Sequence, residues 1–361
     1  MVYPFLPVLS RGLGLPLETL TNLLSLRGAL GMASPFFGGI PDRFGRRHAM
    51  LIGLAVFSLG LLMPALLPGP VAFVAFLILV VVAKFIFDPA LQAYLGDRTA
   101  YARRGLVIAF SEMGWSGAAL VGIPLAGLLI ARSDWRAPFV PLAVAGLAAG
   151  AALWFIIPSD APARGQPRSP SPSHLAAIWR NPAVLAGLGL SLLLSAGNEN
   201  LNVVYAAWLE RSFGLSVAAL GLSTTVIGAA ELAGEGLVML LADRLGKRRA
   251  IAIGVGASAA AYLALPFTGH SLPLALGGLF AVFITFEFTI VATLPLMTEL
   301  VPQARGRMMS TNVAALAAGR MVGALLGGYA YQFGFLWTGL ASVACSLIAL
   351  TVLAAFVRES A

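Results

Sequence analysis

Residues 42–47 read Asp-Arg-Phe-Gly-Arg-Arg, and residues 243–248 repeat this pattern as Asp-Arg-Leu-Gly-Lys-Arg, 201 positions later. The dipeptide Arg-Gly recurs with the same separation, at 104–105 and 305–306. A third pattern, of small residues, shares the offset, with Ala118, Gly122 and Ala126 followed by Gly319, Gly323 and Gly327. Because three separate patterns share one offset, we interpret the chain as two tandem copies of one structural unit.

The amino-acid composition places both copies in a membrane. Of the 361 residues, 59% are hydrophobic and 11% are charged, whereas soluble domains carry about 25% charged residues. We therefore predict an all-α polytopic membrane protein, since the strands of a membrane barrel would alternate in polarity and these apolar runs do not. Runs of about 20 apolar residues predict eleven full spans, at 17–40, 49–67, 71–95, 105–131, 136–157, 182–210, 215–242, 250–267, 272–298, 308–331 and 335–357.

The basic residues indicate the orientation of the spans. Sixteen of the 23 Lys and Arg residues fall in one set of alternate loops or in the C-terminal tail, four fall in the other set, and three lie within spans. The basic loops are therefore predicted to be cytoplasmic, in the inner membrane of a prokaryotic cell. Because this placement accounts for the +8 net charge, we exclude nucleic-acid binding. The single cysteine and the lack of a His/Cys ligand cluster predict no metal site and no cofactor.

The repeat also predicts the domain boundaries. The N-terminal bundle is expected at 1–157, a proline-rich cytoplasmic linker at 158–181, and the C-terminal bundle at 182–361. Residues 1–9 are apolar but too few to cross a membrane, and the counterpart of the span 182–210 would begin before the chain does. We therefore expect an incomplete first helix. The alternative is an eleven-span protein that functions as it stands.

The loop around Asp42 resembles the signature Gly-x-Leu-Ala-Asp-Arg-x-Gly-Arg-Arg of the major facilitator superfamily. Residues 38–47 match it except at Ile40 and Pro41, and residues 242–248 keep it in the second copy. The resemblance implies the major facilitator fold, with two six-helix bundles. It also implies a conformational latch made of Asp42, Arg43, Gly45, Arg46, Arg47, Asp243, Arg244 and Gly246. The alternative is that these loop residues serve the topology alone.

A second resemblance concerns the direction of transport. The span 105–131 is similar to the glycine- and proline-rich fifth helix of exporters, although Ile123 separates its Gly from its Pro. Lys84 stands where exporters often carry an arginine. Sugar- and drug-efflux permeases are therefore the nearest likeness, and the resemblance implies efflux.

Nine ionisable residues fall within the predicted spans, where charges are costly and are therefore candidates for function. With the incomplete helix counted as the first, they lie in helices two, four, five, seven, eight, ten and eleven, which line or flank the cavity in the family fold. When fully ionised they carry a net charge of −3, so either some acids are protonated or a cation is bound. The nine are Arg27, Lys84, Asp88, Glu112, Glu199, Glu231, Glu235, Glu287 and Arg320.

Glu231 and Glu235 are the leading candidates for a proton-carrying site. They are four residues apart on one helical face, where like charges repel, so a proton held by the pair would relieve the repulsion. Glu112 is expected at a similar depth on a neighbouring helix, and Asp88 is a further candidate. Asp88 can also pair with Lys84, either statically or as part of a gate. The alternative for the two glutamates is a structural hydrogen-bonded pair.

Other polar residues within the spans are predicted to line a substrate cavity. Asparagine both donates and accepts hydrogen bonds, so the polar run around Glu199 suits a polar substrate, with helix-to-helix hydrogen bonding as the alternative. The arginines could hold an anionic group or neutralise the acids, and we favour neutralisation. The cavity candidates are Arg27, Lys84, Asn198, Glu199, Asn202, Glu287 and Arg320.

Together these features predict a monomeric secondary transporter that works by alternating access and couples the efflux of a small molecule to protons. An importer of the same fold is the first alternative, and a non-transporting sensor or scaffold is the second. Substrate-linked proton movement would separate the transporters from the scaffold. An enzyme is not expected, because the sequence has no HExxH, P-loop or nucleophile-elbow pattern.

Overall fold

The computed structural model describes residues 2–33, 45–67, 69–98, 114, 117–158, 181–301 and 305–356, which are almost entirely helical and contain no strand. The helices are α1 (Leu6–Leu13), α2 (Leu17–Gly31), α3 (Arg46–Leu66), α4 (Pro70–Arg98), α5 (Ile123–Arg132), α6 (Phe139–Ile156), α7 (Pro182–Asn202), α8 (Tyr205–Phe213), α9 (Val217–Leu245), α10 (Lys247–Ala264), α11 (Leu272–Leu300), α12 (Arg305–Ala330) and α13 (Phe335–Phe356). Short 3-10 turns adjoin them at Tyr3–Phe5, Leu265–Thr268 and Tyr331–Phe333, and a π-helical turn precedes α5 at Ala118–Gly122.

Eight of these helices are long and apolar enough to cross a membrane. An all-α polytopic membrane protein is therefore confirmed. The count of eleven spans stays a prediction, because parts of the expected spans 17–40 and 105–131 lie outside the described residues. Nearly all of the expected linker 158–181 lies outside them as well.

The predicted span 182–210 is not one continuous helix. It begins as expected, since the Asn181 side chain accepts a hydrogen bond from a first-turn amide at 3.0 Å and Pro182 suits the first helical position. The structure then divides the span into α7 and α8 at Val203 and Val204. Val204 has φ −125° and ψ −13°, outside the helical region. β-branched residues are weak helix formers, so the two valines favour an interruption of the helix at this point. Both side chains are buried, and their packing against neighbouring helices holds the break in place.

The two copies share their glycine turns. Helices α1 and α8 end at Gly14 and Gly214, with φ of 65° and 63°. Helices α3 and α10 follow Gly45 and Gly246, with φ of 81° and 78°. Only glycine adopts these left-handed conformations without strain. The separations of 200 and 201 residues match the sequence repeat, so α1 occupies the place in the first copy that α8 has in the second.

The helices before residue 158 form the N-terminal half, and those after residue 181 form the C-terminal half. Helix α3 packs on α4 and α6, while α7 packs on α12 and α13, and α11 packs on α9 and α10. In the described residues, the most extensive contacts between the halves are those of α2 with α12 and of α5 with α9. Glycines permit the close approach of helices in a membrane: Gly28 lies against the backbone of Met321, and Gly127 lies against Gly221.

The hydrophobic core differs between the two sides of the molecule. We call the side opposite the basic loops the outer side. The largest core cluster lies toward the outer side and contains buried residues of both halves, among them Phe5, Leu20, Leu209 and Phe335. Nearer the basic loops, the described residues form smaller clusters that each stay within one half. Apolar packing therefore joins the two halves on the outer side.

Candidate functional site

Three carboxylates from two neighbouring helices come together in the C-terminal half. Glu231 and Glu235 lie on α9, and Glu287 lies on α11. The two helices approach closely here because Gly234 of α9 lies against Glu287 Cβ. The charges of Glu231 and Glu235 both act on Glu287, and all three residues are half-buried. The structure therefore joins the predicted proton-carrying pair to a residue that was predicted only as a cavity candidate.

Arg320 of α12 supplies a positive charge to this carboxylate cluster. Its guanidinium acts on Glu287 with the opposite sign to the two glutamates, and it acts on Tyr3 of the N-terminal half as well. With the acids ionised, three negative charges and one positive charge leave a net charge of −2. The predicted role of Arg320 in neutralising acids stays a prediction.

A second polar cluster joins the two halves. Tyr3 Oη donates a hydrogen bond to Glu199 Oε1 at 2.6 Å, and Arg27 Nη1 donates to Tyr3 Oη at 3.4 Å. The Arg27 guanidinium lies 5.6 Å from the centre of the Tyr3 ring. Glu199 is 5% exposed, and a buried carboxylate requires such partners. Because Glu199 belongs to the C-terminal half and the other two residues to the N-terminal half, the cluster bridges them.

The polar run on α7 divides between two environments. Asn198 Oδ1 accepts a hydrogen bond from Tyr262 Oη of α10 at 3.4 Å. Asn200 Nδ2 donates to the Thr338 carbonyl at 2.7 Å, within the C-terminal half. These contacts favour helix-to-helix hydrogen bonding for this part of the run, whereas Glu199 between them turns to the N-terminal half. Asn202 is half-buried at the end of α7, and its cavity role stays a prediction.

Lys84 and Asp88 form the expected pair on α4. Lys84 Nζ donates to Asp88 Oδ2 one helical turn later, and the two side chains are 38% and 40% exposed. This geometry fits either a static bridge or a gate. The proton-carrying role suggested for Asp88 stays a prediction.

Part of the predicted latch makes contacts within a single half. Arg47 Nη2 donates to the Trp154 carbonyl at 2.5 Å, and its guanidinium lies 4.2 Å from the centre of the Trp154 ring. In the second copy, Arg248 Nη2 donates to the Ala354 carbonyl at 2.9 Å. A guanidinium stabilises the negative C-terminal end of a helix. These arginines therefore attach the starts of α3 and α10 to the ends of α6 and α13.

The other latch residues are described only in part. Gly45 and Gly246 have the positive φ values given above, Arg46 begins α3, and Arg244 is exposed near the end of α9. The latch candidates Asp42 and Arg43, the proton-carrying candidate Glu112 and the side chain of Asp243 lie outside the described residues.

One residue beside the carboxylate cluster has no signal in the sequence. Tyr205 of α8 is 1% exposed and interacts electrostatically with Glu231 and with Tyr3. A tyrosine in an apolar run looks like a core residue, so only the structure reveals this position. Within the described ranges, no group of three His, Cys, Asp or Glu side chains is placed to hold a metal ion.

Comparisons with known proteins agree with this architecture. A family model described as Major Facilitator Superfamily matches residues 1–198 and again residues 188–361. The chain is 27% identical over 308 residues to the uncharacterized MFS-type transporter YceJ of Bacillus subtilis (strain 168), a match that covers 84% of this chain and 78% of that protein. It is 23% identical over 320 residues to Multidrug resistance protein 2 of the same organism, with coverage of 85% and 79%.

A solved structure shows the same fold. A POT family transporter in complex with a thioalcohol-conjugated peptide superposes on the chain with a TM-score of 0.80 at 16% identity. The superposition covers 99% of this chain and 92% of that chain.

Proposed function

We propose that this chain, which belongs to the Major Facilitator Superfamily, exports a small molecule in exchange for protons. Its family makes it a multi-pass membrane protein and a secondary transporter rather than an enzyme. The observation that carries the proposal is the carboxylate cluster of Glu231, Glu235 and Glu287, which has Arg320 beside it.

The chemistry of exchange follows from the charge of this cluster. Ionised carboxylates at membrane depth are unfavourable unless a partner neutralises them. Either protons or a cationic substrate can neutralise the excess negative charge, and each makes binding of the other less favourable. Alternating access between the two halves would then carry substrate in one direction and protons in the other.

Two features support efflux as the direction. The segment that contains the π-helical turn Ala118–Gly122 and Pro124 is similar to a motif of exporters. One relative of the chain is named Multidrug resistance protein 2, which suggests drug-like substrates. We further propose that the protein acts as a monomer in the inner membrane of a prokaryotic cell, with its basic loops in the cytoplasm.

Proton flux in everted membrane vesicles tests the proposal. A ΔpH is set across the vesicle membrane, a fluorescent reporter follows it, and lipophilic cations, sugars and neutral amphiphiles are added in turn. We expect a cationic compound to dissipate the ΔpH, and we expect Glu231→Gln, Glu235→Gln or Glu287→Gln to abolish this response. The three substitutions keep the size of the side chain while removing the ionisable group.

Glu299→Gln is the matched control. Glu299 lies on the same helix as Glu287, but at its end near the basic loops, where it pairs with Lys247. This variant should keep the response. Full ΔpH-driven transport in all three cluster variants would refute the proposed site. If a compound changes the ΔpH only in right-side-out vesicles, the protein is an importer. If no compound changes the ΔpH in vesicles of either orientation, the protein is a sensor or scaffold.

A further inference from the structure

An ion pair joins the two halves at the outer rim. Arg11 Nη2 lies 2.8 Å from Glu210 Oε1, and Arg11 Nη1 lies 3.1 Å from Glu210 Oε2. Arg11 is in the last turn of α1, and Glu210 lies on α8. Two parallel N–H···O bonds between guanidinium and carboxylate make this the strongest geometry for such a pair. The side chains are 60% and 23% exposed, so the pair lies at the aqueous surface.

Apolar packing closes the space beneath this ion pair. Phe5 is 2% exposed and contacts the point where Gly127 of the N-terminal half crosses Gly221 of the C-terminal half. The turn that contains Phe5 also packs on α8 and α9. Together with the core cluster that both halves share on this side, these contacts seal the outer side in the conformation observed.

The structure on the side of the basic loops is different. There the clusters of buried residues in the described ranges belong to one half or the other, and none is shared. The outer contacts must separate when a transporter with two rocking halves opens outward. A contact that holds the outer side shut and breaks in each cycle is a gate.

We propose that Arg11 and Glu210 form an outer gate that favours the outward-closed conformation. The proposal rests on the proposed function only in so far as the protein alternates between two access states. An exposed ion pair shifts an equilibrium by about two- to fivefold, which biases the closed state without trapping it. The apolar contacts around Phe5 supply the remaining stabilisation of the outward-closed conformation.

A distance measurement between the halves tests this gate. Spin labels are attached to Val71→Cys and Ser212→Cys, two exposed positions on the outer side of opposite halves, in a Cys345→Ser background. The full chain is reconstituted in lipid nanodiscs, and pulsed electron resonance gives the distribution of distances. We expect Arg11→Gln and Glu210→Gln each to raise the long-distance population by about two- to fivefold.

The exchanged pair separates a gate from general damage. The double variant Arg11→Glu with Glu210→Arg should restore the original distribution, since it restores opposite charges. Asp134→Asn is the matched control, because Asp134 pairs with Arg136 at 2.9 Å on the outer side within a single half. This variant should leave the distribution of distances between the labels unchanged. Unchanged distributions in both single variants, or no recovery in the exchanged pair, would overturn the proposal. A shift in the control variant would also overturn it.

Salt provides a second test that leaves the native pair in place. At about 1 M salt the screening length falls to about 3 Å, which weakens the attraction between Arg11 and Glu210. In the protein that keeps this pair, the distribution of distances between the labels should therefore move toward the distribution of the single variants. The doubly neutral protein, Arg11→Gln with Glu210→Gln, should not respond in this way. Neither measurement depends on substrate or protons, so a failure of the gate and a failure of the proposed exchange are distinguishable.

Discussion

The hydroxyl of Tyr3 stabilises a charge that the fold buries. Glu199 is 5% exposed and lies in the last turn of α7, and an unpaired carboxylate buried to this extent would be strongly destabilising. Tyr3 donates to it at 2.6 Å, and the Arg27 guanidinium lies close to the tyrosine. The three residues come from three different elements, so the contact depends on the relative position of the two halves.

Removing the Tyr3 hydroxyl should therefore weaken the folded state. We expect Tyr3→Phe to lower the free energy of unfolding by about 1.5–3 kcal/mol, the usual contribution of a hydrogen bond to a charged group. Denaturant titration in detergent micelles, followed by the fluorescence of the six tryptophans, measures the change.

A double-mutant cycle shows whether the effect belongs to this pair. In a Glu199→Gln background, the amide accepts only a neutral hydrogen bond, so Tyr3→Phe should cost about 1 kcal/mol or less. An equal cost in both backgrounds would mean that Tyr3 stabilises the protein by packing rather than through Glu199.

The charged residues were identifiable from the sequence, and so were neighbours one helical turn apart, but partners on other helices were not. Glu231 and Glu235 are neighbours on one helix, so their spacing predicts their proximity. Glu287 is more than 50 positions away, and its place beside them depends on how α9 and α11 pack. Tyr3 and Tyr205 have no sequence signal, since a tyrosine in an apolar run resembles any core residue.

At the scale of elements, the small residues of α12 determine how closely it packs on α7. Gly319, Gly323 and Gly327 lie against the backbone or side chains of α7 and of the residue that follows it. A side chain at Gly323 would come within 2.8 Å of Glu199 Cβ and would also collide with the backbone of Ala196. The small-residue spacing therefore predicted a real packing face.

This close packing leads to a measurable prediction. We expect Gly323→Val to lower the free energy of unfolding by about 1–3 kcal/mol, the typical cost of overpacking a core. The same denaturant titration measures it. Gly277→Val is the matched control, because Gly277 lies within a helix but has open space around its Cβ position. Equal stability of the two variants would show that α7 and α12 can move apart without cost.

The elements themselves were largely predictable, and the exceptions have physical causes. Long apolar runs predicted the membrane helices, because the bilayer requires about 20 such residues for each span. The break at Val203 and Val204 was not predicted, since it depends on the tertiary packing of two buried valines. The contact of Arg47 with the end of α6 was also not predicted, because a loop motif does not show which helix end an arginine reaches.

At the scale of the whole molecule, two tandem copies give the two halves similar backbones but different charges. The carboxylate cluster lies entirely in the C-terminal half, on α9 and α11. The positions 201 residues earlier are occupied by Leu30, Ser34 and Ile86, so the N-terminal half has no equivalent carboxylates there. If this cluster carries the proposed exchange, the C-terminal half holds the exchanging groups and the N-terminal half supplies the surface against which it moves.

This asymmetry predicts how substrate affinity depends on pH. If a cationic substrate displaces one proton from the cluster, its apparent dissociation constant should rise about tenfold for each unit by which the pH falls, in the range where that proton binds. Two displaced protons would double the slope on a logarithmic scale. Binding of a lipophilic cation to the purified protein, measured calorimetrically at a series of pH values in buffers of different ionisation enthalpy, gives both the slope and the number of protons released.

The same experiment has internal controls. A neutral analogue of the cation should bind with little dependence on pH, because it does not compete for the carboxylates. Glu287→Gln should reduce the slope, since it removes one of the groups that share the protons, whereas Glu299→Gln should leave it unchanged. By linkage, the substrate must affect proton binding as much as protons affect substrate binding. A pH-independent affinity with no proton release would therefore remove the basis for exchange at this cluster.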